Sequence, residues 1–215
     1  MGSIFCIVGK SSSGKDTIYK RLLENLSLHL KRIVPYTTRP IRAGEQEGVE
    51  YHFTTTERLS RLQEENSIIE CRAYDTVYGV WYYFMAKDSQ IDLDENDYLV
   101  IGTLESYTKI RDYFGENRVV PVYIDLDDGE RLSRALEREK KQSQPKYEEM
   151  CRRYIADGKD FSPDNLERAG ITVKFDNQDL DSCLDKVEAY IAAHQKAADP
   201  ADLAVSRERK DLRNA

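Results

Sequence analysis

One short stretch of the chain has the composition and spacing of a loop that binds phosphate groups. Residues 9–17 read GKSSSGKDT, with glycines near both ends and a lysine after the second glycine. Glycine lets the backbone curl so that its N–H groups point at one anion, and the lysine can reach the β- and γ-phosphates of a nucleotide. The residues that we expect to bind a nucleoside triphosphate here are Gly9, Ser11, Ser12, Ser13, Gly14, Lys15, Asp16 and Thr17.

The segments on either side of this loop support the same interpretation. Residues 3–8 are an apolar run that predicts a buried strand, and residues 14–30 predict a helix. A helix that begins in the loop adds the positive end of its dipole to the site. The residue after the lysine usually carries a hydroxyl that binds Mg²⁺, but Asp16 stands there. Asp16 is a candidate metal ligand, and the alternative is that its carboxylate only caps the helix start.

A second stretch, residues 36–53, has the residue types that bind another phosphate group. Arg39 and Arg42 lie three residues apart with Pro40 between them, which makes a stiff fork of two guanidinium groups. Guanidinium groups bind phosphate through two parallel hydrogen bonds. Tyr51, which returns across a predicted hairpin, can donate its hydroxyl to the same phosphate. The alternative is an ordinary solvated turn.

The composition limits the class of protein. The 215 residues are 40% hydrophobic and 33% charged, with a formal net charge of −7. These values are typical of one soluble globular domain, and the negative charge argues against nucleic acid as the main partner. We expect no membrane span and no secretion signal, and we expect small-molecule nucleotides as partners. The four cysteines show no metal-ligand spacing, which favours reduced thiols in a cytoplasmic protein, either a monomer or a homodimer.

Strands and helices alternate in the predicted order of elements. After the first helix we predict strands over residues 31–35, 97–101, 118–124 and 171–175, and helices over residues 104–114, 127–141, 147–156 and 179–197. The intervening region predicts one helix at 57–66 and short strands at 51–53, 67–70 and 77–84. This order predicts an α/β fold, with a parallel sheet that carries helices on both faces and a small mixed insertion.

At residues 37–53 the chain resembles the guanylate kinase family. The family motif T-T-R-x-x-R-x-G-E-x-x-G-x-x-Y-x-F is met at every fixed position, and the phosphate loop lies at the expected distance upstream. The resemblance covers residues 3–195 and implies a P-loop nucleoside monophosphate kinase that uses ATP and Mg²⁺. The residues that it implies for the acceptor are Arg39, Arg42, Tyr51 and Tyr78 at the phosphate, with Glu70 at the guanine edge.

The resemblance also implies how the chain is divided. One domain covers residues 1–198, and a charged tail that we expect to be disordered covers 199–215. The parts of the domain are a core (1–35, 86–130 and 160–198), an acceptor-binding subdomain (36–85) and a helical lid (131–159). Lys15 and the lid arginines, Arg138 and Arg152 or Arg153, are the expected catalytic residues, unless the lid is only a charged surface. Asn177 is the expected contact on the adenine side, or a simple turn residue.

Three positions depart from the family pattern. Pro35 replaces a serine that contacts guanine, and Val80 replaces the Ser or Thr of a Tyr-Gly-Ser/Thr motif. The family's D-x-D falls on residues 101–103, which read Ile-Gly-Thr, so both carboxylates are missing. The usual magnesium site pairs a loop hydroxyl with a strand-end carboxylate, and here the two types are exchanged. We hypothesise a swapped magnesium site made from Asp16 and Thr103.

The sequence leaves three functions open. The first is a guanylate kinase that acts on GMP or dGMP. The second is a kinase of the same build that acts on another phosphorylated acceptor, because several guanine contacts are missing. The third is a binding module without turnover, against which the intact phosphate loop and the arginine-rich lid argue.

Overall fold

The computed structural model describes residues 2–42, 44–76 and 79–198. Tyr78, one of the expected phosphate contacts, and the tail over 199–215 lie outside the described residues. The strands, in chain order, are β1 (Ile4–Val8), β2 (Leu30–Arg32), β3 (Tyr36–Thr37), β4 (His52–Phe53), β5 (Ile68–Thr76), β6 (Gly79–Ala86), β7 (Asp97–Ile101), β8 (Val119–Asp125) and β9 (Lys174–Asp176). The helices are α1 (Lys15–Glu24), α2 (Thr56–Glu64), α3 (Leu104–Phe114), α4 (Asp128–Lys140), α5 (Tyr147–Asp160), α6 (Pro163–Arg168) and α7 (Leu180–Ala198).

Five strands form one parallel sheet in the order β2-β7-β1-β8-β9. β1 lies at its centre and pairs in parallel with β7 on one side and β8 on the other. The carboxyl ends of all five strands therefore meet at one edge, where ligands bind in open sheets of this kind. The phosphate loop after β1, Thr103 after β7 and Asn177 after β9 come together at this edge.

Helices cover both faces of this sheet because the side chains of β1 alternate between them. Ile4, Cys6 and Val8 pack in the cluster that contains α3, and Phe5 and Ile7 pack in the cluster that contains α1 and α7. Near-continuous burial of a strand is typical of a parallel sheet covered on both sides. The predicted α/β fold class is confirmed. Among the described residues, no helix combines the length and the apolar character needed to cross a bilayer.

A second sheet has the order β4-β3-β6-β5 and lies in the predicted insertion. β5 and β6 form a long antiparallel hairpin in which Cys71 faces Phe84 and Arg72 faces Tyr83. The face with Cys71 and Phe84 packs against α2. Since side chains alternate along a strand, Arg72 and Tyr83 lie on the opposite face, and so does Glu70. This opposite face carries the polar residues that matter below.

The first helix is shorter than predicted. It ends at Glu24, six residues before the predicted end, and a 3₁₀ turn follows over Leu26–Leu28. Asn25 explains the break, because its side chain accepts a hydrogen bond from the Ser27 N–H at 3.1 Å and caps the new turn. The next strand consequently lies at Leu30–Arg32 and does not reach residue 35.

Several further elements differ from the prediction, and α5 continues to Asp160, four residues past its predicted end. The strand predicted at 67–70 continues to Thr76 as half of the long hairpin, and the strand predicted at 171–175 occupies only Lys174–Asp176. The short helix α6 was not predicted, although Ser162 and Pro163 are a capping residue and a first-turn proline that mark a helix start. Its position matters little for the site, since it packs on the core face.

Candidate active site

The phosphate loop is shaped by close packing against the strand ends. Gly14 has a φ of 88°, a region that favours glycine, and a Cβ there would lie 2.2 Å from Nδ2 of Asn177. The hydroxyl oxygens of Ser12 and Ser13 are buried and find no hydrogen-bond partner among the described residues. Buried polar atoms are nearly always paired, so two free hydroxyls in one loop indicate a place for a polar ligand.

Asn177 supports the loop from the end of β9. Its backbone N–H donates to the carbonyl of Asp125 at 2.9 Å, and its side-chain amide donates to the carbonyl of Ser13 at 2.7 Å. Arg134 donates in turn to the carbonyl of Asn177 at 3.2 Å. The side chain of Asn177 is buried and directed at the loop. It therefore positions the loop, and a contact with the nucleotide base stays a prediction.

A buried ion pair that we did not predict fixes the first half of the loop. The Ser11 N–H donates to Oδ2 of Asp157 at 2.8 Å, and Arg131 Nη1 donates to the Ser11 carbonyl at 2.9 Å. Arg131 is only 1% exposed, is bound by Asp128 at 2.8 Å, and lies over the ring of Tyr154. These side chains belong to α4 and α5, so both helices are attached to the loop. An Asp and an Arg three residues apart on a helix usually mark a solvated surface, so this role could not be predicted from the sequence.

Lys15 lies in the environment that its predicted role requires. Its side chain is largely buried, with Nζ 3.8 Å from Oδ2 of Asp16. Burial lowers the pKa of Lys15, the carboxylates of Asp16 and Asp157 oppose this, and the positive charges of Arg153 and Arg138 lower it further. Arg153, which reaches the loop, and Arg138 on α4 are thus the arginines whose charges act on Lys15. Neighbouring positive charges repel one another, and an anion that binds among them relieves this repulsion.

The two candidate arginines of α5 face in different directions. Arg153 Nη2 donates to the Ser11 hydroxyl at 3.2 Å, so this side chain reaches the phosphate loop. Arg152 binds Glu149 through two hydrogen bonds of 2.6 and 2.7 Å, and its side chain is 65% exposed. Arg153 thus lies at the phosphate loop, and Arg152 lies in a surface ion pair with Glu149. A catalytic role for either arginine stays a prediction.

The predicted acceptor clamp centres on Arg39. Its guanidinium is buried and held by Glu45 through two hydrogen bonds of 2.8 and 3.0 Å. Nε of Arg39 is buried and finds no partner among the described residues. The rings of Tyr51 and Phe53 lie 5.5 and 5.6 Å from the guanidinium carbon. Arg39 is therefore oriented by its surroundings and keeps one donor available.

Tyr51 and Arg42, the other two described residues of this clamp, differ in their exposure to solvent. Burial, chiefly, and the neighbouring Tyr83 raise the pKa of Tyr51, while Arg39 and Arg72 oppose the rise. The Tyr51 hydroxyl therefore stays protonated and can donate. Arg42 is exposed, and its backbone N–H donates to Glu45 at 2.8 Å. The clamp thus has a fixed inner part, with Arg42 at its rim.

The base-reading end of the acceptor region contains an arginine that we did not predict. Arg72 binds Glu70 through two hydrogen bonds of 3.0 and 3.1 Å, so both carboxylate oxygens of Glu70 are engaged. The Glu70 side chain is 2% exposed and the Arg72 side chain 12%. Arg72 Nη1 also lies 3.4 Å from the hydroxyl of Thr103. The residue expected to contact the acceptor base is thus covered by a residue two positions away.

Thr103 has a role that differs from the hypothesised metal site. It is the N-cap of α3, and its hydroxyl oxygen accepts a hydrogen bond from the Ser106 N–H at 3.2 Å as well as the contact from Arg72. Asp16 is 78% exposed at the start of α1, and its carboxylate lies 3.8 Å from Nζ of Lys15. Thr103 therefore serves as the N-cap of α3, and the swapped magnesium site made from Asp16 and Thr103 stays a hypothesis.

Comparisons with known proteins agree on one family. A family model described as "Guanylate kinase" matches residues 1–194. The chain is 29% identical to a guanylate kinase of Caldanaerobacter subterraneus subsp. tengcongensis, over 92% of this chain and 90% of that protein. It is 27% identical to a guanylate kinase of Porphyromonas gingivalis, over 89% of this chain and 97% of that protein. The fold is similar to a crystal structure of guanylate kinase from Anaplasma phagocytophilum, with a TM-score of 0.61 and 23% identity over 90% and 86% of the two chains.

Proposed function

The chain belongs to the guanylate kinase family, and on this premise we propose that it is an ATP-dependent nucleoside monophosphate kinase. It transfers the γ-phosphoryl group of ATP to a phosphate oxygen of GMP and releases ADP and GDP. The observation that carries the proposal is the geometry at the phosphate loop, where Lys15 is largely buried and Arg153 of α5 reaches the Ser11 hydroxyl at 3.2 Å. A module without turnover would not need positive charge at this point, so that alternative is not favoured.

The donor half of the reaction uses the phosphate loop. Its N–H groups and the start of α1 surround the triphosphate, and Lys15 binds its terminal phosphates. Arg131 and Asp157 hold the loop in shape through Ser11, which keeps these donors in place before the nucleotide binds. The residues assigned to ATP are Gly9, Ser11, Ser12, Ser13, Gly14, Lys15, Asp16 and Thr17, with Asn177 beneath them.

The acceptor half uses Arg39, Arg42 and Tyr51, and Tyr78 belongs to this part of the proposal. Arg39 offers its buried Nε and the Tyr51 hydroxyl offers a proton donor, so that both bind the acceptor phosphate. An oxygen of that phosphate then forms a bond to the γ-phosphorus, while the bond to the β-phosphate oxygen breaks and ADP leaves. No side chain changes its covalent state, so the enzyme contributes positioning and charge stabilisation.

Arg138 and Arg153 supply charge where it develops during transfer. Negative charge spreads over the γ-phosphoryl oxygens in the transition state, and donors already oriented toward it cost no reorganisation at that moment. The α4–α5 pair that carries them acts as the lid in this proposal. Since both helices already contact the loop through Arg131 and Asp157, the arginines are held near Lys15.

Magnesium is part of the proposal, with Asp16 as its protein ligand. The donor set fits, because Mg²⁺ is commonly held by one carboxylate together with phosphate oxygens and water. No group of three or more His, Cys, Asp or Glu side chains is arranged for a metal in the part of the chain that the structure describes. Held by Asp16, a magnesium ion would neutralise part of the negative charge of the phosphate groups. Asp16 is exposed, and its carboxylate lies 3.8 Å from Nζ of Lys15 in the same loop.

The setting of the enzyme is also proposed. All four cysteines are free thiols, which supports the reducing cytoplasm as its compartment. Small-molecule nucleotides are its proposed partners, as a monomer or a homodimer.

An assay of ADP release tests the proposed function directly. ATP and GMP are mixed with the protein and Mg²⁺, and ADP formation is followed with a coupled enzyme system, with the identity of GDP checked by chromatography. We expect turnover with GMP and a loss of at least about a hundredfold in the Lys15→Ala variant. ATP consumption without GDP, or an active Lys15→Ala variant, would contradict the proposal.

A further inference from the structure

We propose that Arg72 determines the specificity of the acceptor site, so that it selects 6-oxopurine monophosphates as a class and does not require the 2-amino group of guanine. This inference rests on the proposed function and names the acceptors of the same site. IMP and XMP, which share the 6-oxo group with GMP, are expected substrates. AMP, which carries an amino group at that position, is not.

The first step of the argument concerns Glu70, the retained carboxylate at this end. Guanine presents N–H donors at N1 and at the 2-amino group, and a carboxylate reads them by accepting both hydrogen bonds. Here Arg72 already donates to both oxygens of Glu70 through Nε and Nη2. Glu70 is also 2% exposed, beneath Arg72. Each oxygen keeps a second lone pair, but a side chain that is 2% exposed does not present it to an acceptor base, so Glu70 does not discriminate in favour of a 2-amino group.

The second step concerns the direction in which Arg72 faces. Its cross-strand partner is Tyr83, so the two side chains lie on the same face of the second sheet. The Tyr83 ring lies 5.5 Å from the ring of Tyr51, the phosphate contact of the clamp. The positive charge of Arg72 also acts on the pKa of Tyr51. Arg72 therefore borders the clamp on the side where a base attached to the bound phosphate extends.

The third step concerns the chemistry that a guanidinium recognises. It has only N–H donors, so it pairs with carbonyl oxygens and ring nitrogens such as O6 and N7 of guanine, and it cannot pair with an amino group. Nη1 makes a long contact of 3.4 Å to the Thr103 hydroxyl, which a carbonyl oxygen of the base can replace. Residues 101–103 add no carboxylate that could accept from a 2-amino group. The N–H donors of Arg72 thus match the O6 oxygen of the purine, and no group among the described residues here recognises the substituent at position 2 of the ring.

A panel of monophosphates tests this inference. For the unchanged protein we expect kcat/KM with IMP and XMP within about tenfold of GMP, and with AMP at least about a hundredfold lower, since an unmatched polar group in such a site costs factors of that size. A protein that rejects IMP by more than about a hundredfold relative to GMP overturns the inference, because Glu70 would then be reading the 2-amino group.

Variants of the pair make the test specific to Arg72. In Arg72→Ala, Glu70 is released, so we expect the GMP:IMP ratio of kcat/KM to rise about tenfold or more, and the GMP:AMP preference to fall. In Glu70→Gln, the buried partner of Arg72 changes, so kcat/KM should fall for GMP and IMP alike. The GMP:IMP ratio of kcat/KM should stay within about threefold of its value in the unchanged protein. The matched control is Arg61→Ala, an exposed arginine on α2, for which we expect all ratios unchanged. Unchanged ratios in Arg72→Ala overturn the inference.

Direct binding keeps this inference separate from the proposed function. Isothermal titration calorimetry gives dissociation constants for GMP, IMP, XMP and AMP without turnover, and thermal melting shows that each variant is folded. If Arg72→Ala does not fold, Arg72→Gln replaces it, because its amide keeps one hydrogen bond to Glu70. If the monophosphates bind but no ADP forms, the proposed kinase activity fails, and the ratios of the dissociation constants still decide the inference. If no monophosphate binds, both fail.

Discussion

Adjacent arginines on α5 provide the sharpest test of the proposed chemistry. Arg153 reaches the Ser11 hydroxyl at 3.2 Å, whereas Arg152 binds Glu149 on the exposed surface. The two arginines are neighbours on the same helix and carry the same charge. The Arg152→Ala and Arg153→Ala variants therefore differ mainly in the direction in which the removed guanidinium pointed. We expect Arg153→Ala to lose activity and Arg152→Ala to keep it.

The expected magnitudes follow from the contacts. A surface ion pair three residues apart on a helix contributes about 0.3–0.5 kcal/mol, so Arg152→Ala should keep kcat within about twofold and melt within about 2 °C of the unchanged protein. An arginine that stabilises a transferring phosphoryl group contributes about 10³–10⁵ in rate. Because Arg138 also acts on Lys15, we expect Arg153→Ala to lose a smaller factor, about 10²–10³ in kcat, or about 2.7–4 kcal/mol.

The assay is steady-state ADP release at saturating ATP and GMP, with thermal melting as the check on folding. Arg153→Ala should lower kcat with its melting temperature nearly unchanged, because the contact that it loses is one hydrogen bond at the protein surface. A kcat within about threefold of the unchanged protein would refute the placement of Arg153 at the reacting phosphate. An equal loss in Arg152→Ala would refute the separation of the two arginines.

Three further predictions concern the phosphate loop. Gly14→Ala places a Cβ 2.2 Å from Asn177 Nδ2 at a φ of 88°, so ATP binding measured by calorimetry should be lost, whereas measurable binding at millimolar ATP would contradict the loop geometry. Asn177→Ala removes the hydrogen bond to the Ser13 carbonyl and should lower the free energy of unfolding in urea by about 1–3 kcal/mol and raise KM for ATP; a change in neither quantity would contradict the positioning role. Since burial lowers the pKa of Lys15 below its usual 10.5, kcat/KM for ATP should fall on the alkaline side at a pH below that value, as the ammonium is lost. In Arg153→Ala this alkaline limb should move to higher pH, because a positive charge that lowers the pKa of Lys15 is removed. A limb that moves to lower pH would contradict this effect of Arg153 on Lys15.

The donor half of the site could be predicted because its signal is local. A strand, a glycine-bounded loop and a helix within about thirty residues fix both the fold context and the ligand class. The alternation of later strands and helices was enough to predict the parallel sheet. This sheet is confirmed, and β1 lies at its centre. The end of the first helix could not be predicted from hydrophobic periodicity, since one side chain, Asn25, ends it by capping a new turn.

The residues that position the site could not be predicted, because their partners lie far away in the sequence. Arg131 and Asp157 bind the two sides of the Ser11 peptide, which lies 120 and 146 residues away. In the sequence, Arg131 belongs to a charged helix and has an obvious partner in Asp128, so nothing indicates that it is almost fully buried. The direction of Arg153 and Arg152 was open for the same reason, since neighbouring residues on a helix differ by about 100°.

The acceptor end shows why retained motif residues can overstate retained specificity. Glu70 matches the family position, yet a carboxylate with 2% exposure is stable only with a countercharge, and Arg72 supplies it. If carboxylates stood at residues 101–103, they would compete for the same guanidinium, whereas Thr103 offers only a hydroxyl at 3.4 Å. The loss of those carboxylates and the arginine at position 72 are therefore physically linked. Because each of Glu70 and Arg72 leaves the other unpaired when it is removed, their effects on stability should be strongly non-additive in a double-mutant cycle.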